Sequence, residues 1–377
     1  MTTTDRYSLS IIAAGVVLIA PGPTGGRPIH PRAAPFATPG ACTLAHPGTT
    51  VIGLARDLAA RPTRSATGDA ATLLRPVVDV PLPGDPVRFD YQSADASAGR
   101  LYLSHMNDGH VVAFDTRARR VIANIPDMPR VTGVWAVPAL HKLYASVTGH
   151  HHVAVIDLPG LSVRATPGPI GFPDGIADAP DLKRIFVSDE SRGMELVIDG
   201  VTDKVIATVP VGGEAGNTKY DPGSGCILVA VQTTNEIVAI DPATIAVVAR
   251  FTLAGGDHPH GMYIDAPNRL LFVANQGNAT MEVVDLATLE VTDIAPVGAD
   301  PDVLAFDPGL NRLYVATEDG GLWLYRVRGR RLEVEGKLDL PHAHTVSVDG
   351  ATHLVYLPLQ NVGGHPVLRI FSGSRPN

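Results

Sequence analysis

The chain has 377 residues, enough for one large core, and its formal net charge of −8 leaves no basic surplus to neutralise phosphates, which excludes nucleic acid as a natural partner. Glycine (38) and proline (32) together make almost a fifth of the residues. That much backbone punctuation is too much for helices and selects short strands joined by turns.

At the start of the chain, Arg6 precedes an apolar run over 11–20, and Pro21, Gly22 and Pro23 follow at once. This is the order of a secretory signal, so residues 1–20 are read as a signal peptide and the protein as exported, to the periplasm, the outside or the cell surface. The run is shorter than the roughly 20 residues of a stable membrane span. Residues 21–75 are rich in Pro, Ala and Thr with little periodicity, and are read as a flexible segment with one candidate helix over 51–60. Cys42 lies there and Cys226 lies in the repeats beyond. Export permits a bridge between them; two unpaired thiols, or a lipid on Cys42, are the alternatives.

From 76 to 377 the sequence repeats with a period of about 42 residues, the length of four short strands in one propeller blade. The strongest strand recurs as RLYLSH (100–105), KLYASV (142–147), RIFVSD (184–189), CILVAV (226–231), RLLFVAN (269–275), RLYVAT (312–317) and LVYLPL (354–359). Its period-two alternation is that of half-buried strands. The fold class is therefore all-β, a seven-bladed β-propeller. The last unit supplies only three strands, and VVDVPLPG (77–84) is a fourth without a blade, so an N-terminal strand is expected to close the ring.

The pattern Leu-(Tyr/Phe)-Val-Ala-Asn, a polar turn, then Val-x-Val-(Val/Ile)-Asp resembles the YVTN-repeat β-propellers, mostly exported bacterial and archaeal proteins. The resemblance covers about four fifths of the chain and implies the fold. It does not choose a function, because the same architecture carries lactonases, lyases, copper reductases and proteins of no assigned activity.

In such a blade the innermost strand begins on the face where the second strand ends, so one top face collects both sets of loops. Ten of the 14 histidines fall there. Aligned starts of innermost strands, FPDGIADA (172–179), HPHGMYID (258–265), DPDVLAFD (300–307) and HAHTVSVD (342–349), place Asp174, His260, Asp302 and His344 in one column around a water-filled funnel. With His105 nearby, these are metal-ligand residue types suited to a divalent transition ion. A polar, hydrated channel mouth is the plain alternative. A second ring holds Glu190, Gln232, Gln276, Glu318 and Gln360. Glu190 and Glu318 are the acid/base candidates, unless the ring serves to bridge blades. Arg88 and Asn217 are the ligand-binding candidates, with an ion pair to Asp90 or to a neighbouring blade as the structural role for Arg88.

These residues support a monomeric binding protein for a small molecule, a metal or a partner chain at the top face. The alternatives are a metal-assisted lactonase-type hydrolase or lyase using the same funnel, and a cell-surface scaffold. The repeated Asp115, Asp157, Asp199, Asp241 and Asp285 are read as turn residues.

Overall fold

The computed structural model describes residues 42–44, 73–340 and 342–374. The predicted signal peptide, the candidate helix and nearly all of the segment 21–75 lie outside the described residues. Seven four-stranded antiparallel sheets form seven blades, at 92–125, 131–165, 173–210, 215–252, 259–296, 301–339 and 347–373. The closing strand is β1, Leu74–Pro81. It pairs with the last strand, His365–Gly373, from Leu74↔Gly373 to Pro81↔Val367, as the outermost strand of the seventh blade. Leu74 is buried at the seam, and Asp79 accepts two hydrogen bonds from Arg369 at 2.8 and 2.6 Å. The strand begins three residues before the predicted one.

Alternation puts one apolar face of every inner strand against the next blade, so the core is a ring of inter-blade layers. Buried cations stitch some layers together. Lys142 Nζ donates to Asp203 at 2.6 Å and to the Gly200 carbonyl, both of the next blade, and Arg312 Nη1 donates to the Ser374 carbonyl beside the seventh blade at 2.9 Å. The third-strand aspartates are turn residues, as expected: Asp115 accepts from the Arg117 and Ala118 amides, and Asp199 from those of Val201 and Thr202.

Cys42 and Cys226 form a disulfide across 184 residues of sequence, and the Thr43 amide donates to the Ser224 carbonyl beside it at 2.8 Å. Of the three alternatives for these cysteines, the structure has the bridge. Among the described residues no helix is long and apolar enough to cross a membrane.

Candidate metal and ligand site at the channel mouth

Five of the seven inner strands start irregularly. Register slips between Val131 and Val134, Pro173 and Ile176, Ala215 and Thr218, Pro259 and Met262, and Pro301 and Val303 place a bulge at the same point of five blades. A bulge re-aims side chains that plain pleating would send sideways. Glycines let neighbouring blades close up at this level. A Cβ on Gly261 would lie 1.7 Å from the Asp302 carbonyl oxygen, and one on Gly133 would lie 2.0 Å from that of Asp174.

The predicted column converges here. Asp302 Oδ2 lies 2.9 Å from His344 Nε2 and its Oδ1 lies 3.0 Å from His260 Nδ1, whose Nε2 is 3.9 Å from Asp174 Oδ2. A fifth member, Asp90, contacts the same His344 Nε2 at 3.1 Å. One donor atom each from Asp90, Asp302 and His344 lies within 4.8 Å of the other two. Asp90 was legible in principle: counting back 42 residues from Asp174 reaches Thr132, and 42 more reaches Asp90. The alignment missed it because Thr132 and Gly216, which share the column, carry no charge and hide the periodicity.

In one respect the expectation is corrected. All five side chains are buried, with His260 the most exposed at 8%. They fill the axis as a packed ionic network, because opposite charges at these distances exclude water from between them.

Burial penalises the His260 and His344 cations, but Asp302 raises both, with Asp174 helping at His260 and Asp90 at His344. Asp302 is correspondingly held well below the ordinary carboxylate range: desolvation opposes this, and the His260 charge outweighs it. Asp174 moves the other way, raised by burial against the pull of His260. Environment thus splits two aligned carboxylates into a firm anion and a protonatable acid.

The remaining candidates surround this network. Arg88 donates to both oxygens of Glu318 at 3.4 and 3.2 Å, and its Nη2 lies 2.9 Å from His344 Nε2. Its ion-pair partner is therefore Glu318 of the sixth blade, two blades round the ring, which also lies 3.8 Å from His344 Nδ1. Asn217 Nδ2 donates to the Tyr91 hydroxyl at 3.1 Å, and that hydroxyl donates to Asp174 at 3.1 Å. Glu190 accepts from Gln232 of the next blade at 3.1 Å, and burial raises its carboxyl. In this ring Glu190 and Gln232, and Glu318 with Arg88, bridge blades through side chains. His105 is not part of the triad. Its ring stacks on Phe89 at 3.9 Å and faces Asp108 at 3.6 Å, and burial lowers its affinity for a proton.

One imidazole and two carboxylates are a donor set that suits a divalent transition ion. His260 Nδ1 and Asp302 Oδ1 sit at ion-pair distance without hydrogen-bond alignment, so each buried atom still has bonding capacity. The obstacle is Arg88, whose guanidinium faces the same imidazole nitrogen; an ion there requires it to retreat onto Glu318.

Among solved structures, the chain is similar to Kuenenia stuttgartiensis hydrazine synthase, with a TM-score of 0.65 at 15% identity over 78% of this chain and 97% of that one. The likeness is one of fold. Comparison with protein-family models and with curated proteins finds no match, so the YVTN-repeat resemblance rests on the repeats themselves.

Proposed function

We propose that the protein is an exported monomeric propeller that binds a divalent transition metal ion through Asp90, Asp302 and His344 at the channel mouth, and presents it to a small ligand on the top face. The observation that carries this reading is the convergence of three buried donor atoms of metal-ligand type within 4.8 Å. Export is supported by the Cys42–Cys226 pairing, since disulfides persist in oxidising compartments. When bound, the ion would supply Lewis acidity to an oxygen of the ligand. Around it, Arg88 and Glu318 supply a cation and an anion at the rim, and His260 with Asp302 holds a proton.

Elemental analysis of protein purified from its own compartment tests the reading, with titration of chelator-treated protein by Mn²⁺ and Zn²⁺. Stoichiometric binding that His344→Ala abolishes is expected. Absence of binding by either ion sinks it.

A second reading, a metal-assisted lactonase-type hydrolase or lyase, is favoured by one observation. Glu190 is raised by burial and held by Gln232, so it can take up and release a proton nearer neutral pH than a free carboxylate. Loss of turnover in Glu190→Gln with ligand affinity intact would separate catalysis from binding.

A further inference from the structure

Beneath the ionic network the propeller axis is hollow. A cavity of about 530 Å³ runs along the inner strands, from buried Asn217 to exposed Pro180 and Pro222, where it meets solvent on the bottom side. That volume falls within the range of small-molecule sites.

Its lining is mainly apolar and aromatic, with Trp135, Tyr220 and Tyr263 among the walls, and it holds one cation, Lys219. Among the described residues Lys219 has no ion-pair partner: its Nζ lies 5.5 Å from the centre of the Trp135 ring. Burial pulls its ammonium down to about 8, with Asp174 and Asp302 opposing, so the amine lacks a close counter-charge. The one carboxylate in the lining, Asp178, accepts the Trp135 indole N–H at 2.7 Å. Two amide oxygens in the lining are also unsatisfied. Asn217, 2% exposed, has its Oδ1 without a partner, and so has Gln92 at Oε1. The Asn217 amide nitrogen is already committed to Tyr91, which fixes the oxygen as the free end.

We propose that this bottom-side channel is a second binding site, distinct from the metal-ligand cluster, for a small carboxylate that also carries hydroxyl or amine donors. Its carboxylate pairs with Lys219, its O–H or N–H groups satisfy Asn217 Oδ1 and Gln92 Oε1, and its carbon skeleton lies against Trp135, Tyr220 and Tyr263. The complementarity is chemical: the cavity presents one unpaired cation, two empty acceptors and an apolar wall, and a hydroxy acid or amino acid presents their counterparts.

Isothermal titration with L-tyrosine, 4-hydroxybenzoate and lactate tests this. At least one should bind saturably, and equally well after chelator treatment, which separates this site from any metal above it. Lys219→Met should weaken that binding by about tenfold or more, the usual consequence of losing a charge-assisted hydrogen bond, and Lys219→Arg should restore most of it. Thermal melts of both variants check that the propeller is intact. Binding by none of the three compounds, or equal affinity in folded Lys219→Met, overturns the assignment.

Discussion

His344 Nε2 lies 2.9 Å from Asp302 Oδ2 across the seam between the sixth and seventh blades, in the blade that the N-terminal strand completes. Ring closure and site assembly therefore depend on each other. The column of Asp174, His260, Asp302 and His344 is whole only if the seventh blade is held in place, and β1 is its outer strand.

A chain beginning at Asp85 should accordingly be much less stable than one beginning at Ala71. Both lack Cys42, so the disulfide does not enter the comparison. The shorter one loses the whole β1 ladder, the buried Leu74 and the Asp79–Arg369 pair, and leaves the strand His365–Gly373 as an unpaired edge. Thermal melts and light scattering should show aggregation in the shorter chain only. Equal melting temperatures would contradict closure by this strand.

The Cys42–Cys226 bridge should contribute about 2–4 kcal/mol, chiefly by restricting the unfolded chain. Cys42→Ser with Cys226→Ser should lower the denaturation midpoint accordingly. Thiol counting on denatured wild-type protein should find no free thiol, and two would remove the bridge from the account.

Arg88→Met should tighten metal binding by about tenfold, since removing a cation that faces the coordinating nitrogen removes like-charge repulsion of the order of 1.4 kcal/mol or more. Titration of chelator-treated protein measures it. Weaker binding in this variant would mean that Arg88 supports the ion site by positioning His344.

Glu195 gives the pH prediction. It is fully buried, accepts one hydrogen bond from Thr218 at 2.6 Å, has its other oxygen unpartnered, and is raised to about 8, burial being the main cause. A carboxyl raised on folding favours the folded state fully below its unfolded value near 4.5, and that contribution is lost as pH rises through about 8. Glu195→Gln removes the titration. Its stability relative to wild type should improve by ~4 kcal/mol between pH 5 and pH 9, read from urea midpoints. A constant difference across that range would show that Glu195 does not titrate there.

The fold was legible because seven copies of one pattern specify seven blades, and because the seventh copy lacked a strand that lay near the start. The column Asp174, His260, Asp302 and His344 was legible for the same reason, since a repeat fixes equivalent positions without knowledge of side-chain direction. What periodicity does not encode is contact across the ring. Arg88 meets Glu318 from 230 residues away, and Asp90 joins His344 from 254. Burial was illegible too, since mutual neutralisation of these charges, and so their dry packing, depends on bulges that aim them at one point. The Lys219 channel was missed because a lysine in AGNTKYD reads as an ordinary solvated strand residue.

Mn²⁺ bound in crystals of the full protein and located by anomalous scattering is the most direct test of the central claim. A peak bounded by Asp90, Asp302 and His344 is expected, with Arg88 withdrawn from His344 toward Glu318, and no such peak in His344→Ala. A peak elsewhere, or Arg88 still seated on His344 at saturating Mn²⁺ with no ion beside it, would contradict the metal assignment.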